Sequence, residues 1–136
     1  EELVQTIKDL EADGHPADSA LHLELAGRDP NEGTSDVAYQ KGRWYLGFLE
    51  ERFGRPAFDA FLREYFDAHA FQSIDTATFR AWLLDYLKRP GAPAISAAEI
   101  DEWLYRPGLP ATMPKVAEDV FAPVDRVAAD WRAGRI

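Results

Sequence analysis

The stretch from Asp36 to Gly54 constrains the fold more than any other part of the chain. Ser35 or Asp36 offers a side-chain oxygen to the free N–H groups of a first helical turn, and Gly54 offers the positive φ on which helices end. Between these signals, Trp44-Tyr45-Leu46-Gly47-Phe48-Leu49 is apolar or aromatic throughout. That covers more than the narrow stripe of a surface helix, so the spacing predicts a central helix buried on several sides. Gly42 and Gly47 lie inside it, although each costs about 1 kcal/mol relative to alanine in a helix interior. A second backbone is therefore expected to pass close to that face.

The flanking segments have the same period. Leu3, Ile7 and Leu10 share a face in residues 1–13, and Gly14-His15-Pro16 ends that short helix. Residues 15–38 hold no sustained period, only the alternation Leu21-His22-Leu23-Glu24-Leu25, which fits one short strand or an extended stretch. Turn formers then crowd Asp29-Pro30-Asn31-Glu32-Gly33-Thr34. Pro56 suits a first helical turn, and Phe58, Phe61, Leu62, Tyr65, Phe66 and His69 follow at three/four spacing. Asp75 caps a helix carrying Phe79, Trp82, Leu83, Tyr86 and Leu87, and Ser96-Ala97-Ala98-Glu99 is a capping box before Ile100, Trp103 and Leu104. In the last segment Val116, Val120, Val124, Val127 and Trp131 share a face, with a kink or break expected near residues 119–122 because of Pro123. The fold class is all-α.

Composition narrows the function classes. The chain has 136 residues, 46% hydrophobic and 29% charged, enough to bury a real core. Acidic residues outnumber basic ones by 24 to 15, for a net charge of −9, and the basic residues are scattered singly. Nucleic acid is a poor candidate partner on those grounds. No apolar run approaches the roughly 20 residues of a membrane span. Without cysteine there is no disulfide, thiolate metal site or thiol nucleophile, and the compartment stays open. Glu1-Glu2-Leu3-Val4 already reads as helix, which suggests a fragment or processed chain.

Local chemistry is sparse. His15, His22 and His69 have no partner at metal-ligand spacing, there is no Gly-rich phosphate loop after a strand, and no Gly-x-Ser-x-Gly elbow occurs. Tyr39 stands apart because it falls in the first turn of the central helix, where the positive end of the helix dipole favours a developing negative charge. On residue type alone the better reading is a core tyrosine with a satisfied hydroxyl, and only a resemblance to a known family reverses it.

Taken together, Asp29-Pro30, Val37-Ala38-Tyr39-Gln40-Lys41-Gly42, the aromatic helices and Trp103-Leu104-Tyr105-Arg106-Pro107-Gly108-Leu109-Pro110 resemble the later part of the catalytic domain of M1-family zinc aminopeptidases, on the leukotriene A4 hydrolase branch. The most specific pieces are the Tyr-x-Lys-Gly helix start and the Trp-Leu-Tyr-x-Pro-Gly-Leu-Pro exit. The resemblance implies that residues 1–111 are the helical lobe of a thermolysin-like (gluzincin) domain, and that 112–136 are a linker and the start of a following helical domain. It also implies peptide substrates, and a catalytic role for Tyr39 as the phenol that donates to the oxyanion formed when zinc-activated water attacks a peptide carbonyl. In that family the zinc is held by His-Glu-x-x-His and a further Glu. None of these is in the 136 residues, so zinc is expected in a parent enzyme and none in this chain, which would be inactive alone.

There are departures from the pattern. The epoxide hydrolase of that branch has an aspartate where Asn31 stands and a tyrosine where Thr34 stands, so peptidase is the better reading. Ala38 and Gln40 replace the more usual Pro and Glu beside the tyrosine. The competing reading is a stand-alone helical module that presents an aromatic groove to peptides or partner proteins. On the first reading the rest of the same polypeptide covers the central helix, and the chain alone exposes an apolar surface around Gly42 and Gly47 through which it self-associates.

Overall fold

The computed structural model describes residues 2–114 and 122–135. Among these residues the protein is all-α, with helices α1 (Glu2–Ala12), α2 (Val37–Phe53), α3 (Arg55–Ala68), α4 (Thr76–Tyr86), α5 (Ala97–Tyr105) and α6 (Ala122–Arg132), and a 3₁₀ turn at Pro16–Ser19. Leu21–Leu25 forms no strand and runs as irregular backbone. Its alternation has no neighbouring ladder to join, because an extended segment needs a partner for its backbone groups.

The helix ends follow their local chemistry. At α2, Ser35 is the residue that caps, its Oγ accepting from the Val37 N–H at 3.3 Å; Asp36 makes no side-chain cap bond. Gly54 ends α2 and opens α3 at φ 75° and ψ 145°, a conformation that a side chain would strain. Asp75 caps α4 by accepting from Thr78 N–H at 2.7 Å, and both halves of the Ser96–Glu99 capping box form at α5. Pro123 falls in the first turn of α6, where its missing N–H would be unpaired in any case. Val116, Val120 and residues 119–121 of the expected kink lie outside the described residues.

The core is assembled on α2, which packs against α1 and α3 while α5 packs against α4. Leu49, Phe61, Leu83, Ile100 and Trp103 are fully buried. Trp103 stands with its ring centroid 5.5 Å from both Tyr45 and Phe48, and Phe61 lies 5.3 Å from Phe53 and 5.0 Å from Tyr86. Pairs of this kind contribute about 0.5–1.5 kcal/mol each beyond the area they bury. The aromatic residues at helical spacing are therefore mostly the core they promise to be.

Some expectations need correcting. The apolar run of α2 is not buried all round, since Leu46 points out of the core and is 47% exposed. Phe66, in the α3 pattern, is also exposed. Among the described residues no backbone crosses Gly42 or Gly47: a methyl group at Gly42 would only touch the Leu21 side chain at 4.0 Å, and one at Gly47 would meet nothing within 4 Å. The apolar residues of α6, Val124, Val127 and Trp131, are all exposed.

Candidate functional site

Residues 28–35 deliver the chain to α2 through consecutive tight turns. Asp29 Oδ1 accepts from Asn31 N–H at 2.9 Å, Asp29 O accepts from Glu32 N–H at 3.0 Å, and the Thr34 hydroxyl donates to Pro30 O at 3.2 Å. These turns explain why Asp29 and Thr34 occupy the loop: their side chains bond backbone a few residues away and so hold irregular conformations. Ser35 then caps the helix, and Tyr39 follows in its first turn.

Tyr39 is 79% exposed. Its backbone N–H bonds to Asp36 O at 3.1 Å, so the residue is anchored as helix while its side chain stands outside the core. Among the described residues no core covers the Tyr39 side chain. Tyr39 borders an open groove of about 590 Å³ between α2, α3 and the start of α4, with Gly42, Arg43, Leu46, Ile74 and Phe79 among its lining. The groove is mainly apolar and has polar groups, Arg43, Asp75 and Thr76, in its wall. Glycine at 42 keeps the groove floor open beside Leu21.

The inward side of the same turns is built differently. Lys41 is fully buried, and its Nζ donates to Ser19 O at 3.0 Å and to Arg106 O at 2.7 Å. Burial pushes this ammonium down to about 8, opposed by the charge of Glu102. Ser19 Oγ donates to Pro16 O at 2.7 Å and accepts from Gly108 N–H at 2.8 Å, and His22 N–H reaches Leu104 O at 2.7 Å. The Tyr-x-Lys-Gly start and the Trp-Leu-Tyr-x-Pro-Gly-Leu-Pro exit, far apart in sequence, thus meet at the Lys41 ammonium. Asp18, also buried, forms a two-pronged pair with Arg28 at 2.8 Å, whose hydrogen bonds hold its carboxyl below the usual range.

Lys41 carries no local motif of its own, and sequence reasoning gave it no separate role. A signal existed: Val37, Lys41 and Tyr45 recur at four-residue spacing on the face that also carries Phe48 and Leu49, so a cation was due in the core.

The three histidines stay apart. His22 Nδ1 pairs with Thr76 Oγ1 at 3.1 Å, His69 Nδ1 with Tyr65 O at 2.8 Å, and His15 lies 4.0 Å from Asp18. Among the described residues no three His, Cys, Asp or Glu side chains converge to hold a metal ion. The described residues do not fit a zinc site, and no chemical step is assigned to metal on them. No helix among them is long and apolar enough to cross a membrane.

No protein-family model matches the chain. Curated relatives do. It is 38% identical over 93 residues to a leukotriene A-4 hydrolase homolog of Botryotinia fuckeliana, covering 67% of this chain and 14% of that protein. It is 38% identical over 92 residues to leucine aminopeptidase 2 of Sclerotinia sclerotiorum, covering 66% of the chain and 15% of the relative. With leucine aminopeptidase 2 of Emericella nidulans it shares 34% over 111 residues, 80% of the chain and 18% of the relative. What the chain shares with the proteins so named is this helical segment. Over that stretch the chain belongs to the M1 family, on its leukotriene A4 hydrolase-like branch. It spans 14–18% of the length of these three relatives.

Proposed function

We propose that this chain is the tyrosine-bearing helical part of a zinc aminopeptidase that removes N-terminal residues from peptides. The observation that carries the reading is Tyr39, a phenol 79% exposed in the first turn of a helix whose opposite side is anchored in the core. When a peptide carbonyl is attacked its oxygen gains negative charge, and the Tyr39 O–H donates a hydrogen bond that is stronger to that oxyanion than to the ground-state carbonyl. The partial positive charge at the start of α2 favours the same charge. Residues 1–111 supply the helical support, and the zinc of such an enzyme is held by residues other than these 136. Residues 112–136 lead into a following helical domain, and the chain by itself has no peptidase activity.

Tyr39→Phe in the full-length protein tests this. The ring and its contacts remain while the donor is lost, so kcat on aminoacyl substrates falls, with KM and zinc content little changed. Near wild-type kcat at full zinc content would make Tyr39 a bystander. The competing reading, a helical module that docks on partners without catalysis, draws support from the exposed Val124, Val127 and Trp131 of α6. A full-length reading frame without His-Glu-x-x-His would favour it.

A further inference from the structure

Lys41 follows Tyr39 by two residues, which places it about 200° further round α2 at 100° per residue. One side chain therefore stands in the groove while the other runs into the protein, where it has no exposed surface. A buried ammonium is a costly way to fill a core position, and an apolar residue of the same length would fill it more easily. Here two of its N–H donors are used on carbonyls that are 22 and 65 residues away in sequence, Ser19 O at 3.0 Å and Arg106 O at 2.7 Å. Both are fixed in turn, because the Ser19 hydroxyl is bound to Pro16 O and Gly108 N–H. On the neighbouring side, the Thr6 hydroxyl donates to Gln40 Oε1 at 2.8 Å and ties the same turn to α1. Rotation of the first turns of α2, or a slide along the axis, breaks the Lys41 bonds. The same movement displaces Tyr39.

We propose that Lys41 is a positioning residue for Tyr39: its buried ammonium, held between the carbonyls of Ser19 and Arg106, sets the rotation and height of the first turns of α2 and so where the phenol stands over the groove. This rests on the oxyanion role given to Tyr39 above. An ammonium suits the task because its three donors satisfy several carbonyls from one point, without a carboxylate partner that would fix only one direction.

The test uses the full-length protein with Lys41→Met made in both the Tyr39 and the Tyr39→Phe backgrounds. It reads kcat and KM per folded enzyme together with amide hydrogen exchange along α2. With Tyr39 present, kcat should fall roughly 10- to 10²-fold, the scale of a misplaced catalytic group, with KM within about twofold. In the Tyr39→Phe background the same change should alter kcat less than about twofold, since there is no donor left to misplace. Exchange should quicken over residues 37–43 and stay unchanged over 48–53. Equal losses in the two backgrounds would make Lys41 a general structural residue and overturn the proposal, as would unchanged kcat and exchange. If Lys41→Met does not fold, Lys41→Gln, which keeps a donor, replaces it in both backgrounds, and the same outcomes support or overturn the proposal. If Tyr39→Phe alone keeps kcat, the oxyanion reading is what has failed. Lys41 is then decided by exchange: faster exchange confined to 37–43 supports the pin, and none overturns it.

Discussion

The two sides of α2 obey different rules. Inward, Val37, Lys41, Tyr45, Phe48 and Leu49 are buried and touched from several helices; outward, Tyr39, Arg43 and Leu46 stand exposed on the same turns. The inward side explains folding, because burial of its side chains supplies stabilisation of about 1.5–3 kcal/mol for each large apolar residue. The outward side contributes little to folding, yet it holds a tyrosine and a leucine over an apolar groove. The proposed role of Tyr39 draws on that difference: an aromatic residue that the core does not use stands at the start of a helix that the core holds.

The comparison can be broken from the inside first. Phe48→Ala should cost about 3–5 kcal/mol of unfolding free energy, the range for an aromatic truncated in a core; a loss below about 1 kcal/mol in denaturant titration would mean that the inward side is not the structural one. Next comes Tyr39→Phe, expected to reduce kcat by roughly 10²–10³, about 2.7–4 kcal/mol of transition-state stabilisation, with unchanged thermal unfolding. A large loss of stability with kcat preserved would reverse the roles of the two sides.

Lys41 sharpens the contrast through pH. Its folded value, about 8, lies below its ordinary 10.5, so between those two pH values the unfolded chain binds more protons than the folded one. Stability from this group is therefore fully present above pH 10.5 and is lost as pH falls through 8. Unfolding curves of the wild type and Lys41→Met, compared across that window, should differ by a rising increment that the variant lacks; parallel curves would show that Lys41 does not titrate there.

Tyr45→Phe gives a smaller effect of opposite sign. The Tyr45 hydroxyl is buried without a partner among the described residues, and burial pushes its pKa up. Removing it should raise stability by about 1 kcal/mol, since an unsatisfied buried donor costs about 1–3. A clear destabilisation would reveal a bonded hydroxyl. Last, Leu46→Ala in the 136-residue chain should change stability by less than about 0.5 kcal/mol, as surface substitutions do.

What could be read in advance has a local cause. The caps at Asp75 and Ser96, the positive φ of Gly54 and the apolar period of α1 to α5 depend on neighbours within a turn or two, and the sequence alone determined them, whereas the structure chose Ser35 over Asp36 at the start of α2. The family was legible for a related reason, since Tyr-x-Lys-Gly and Trp-Leu-Tyr-x-Pro-Gly-Leu-Pro are short contiguous patterns. Facing is another matter. Leu46 and Phe66 satisfy a helical apolar pattern as well as Phe48 and Phe61 do, and only the arrangement of the other helices decides which of them is covered. The alternation at Leu21–Leu25 could not become a strand without a partner, which the described residues do not provide. The burial of Lys41 is the strongest case: the sequence showed a cation in a helix, while the tertiary structure brought the carbonyls of Ser19 and Arg106 to one point and made that cation bearable there. Backbone acceptors leave no trace in residue types, because every residue carries one; their convergence belongs to the fold.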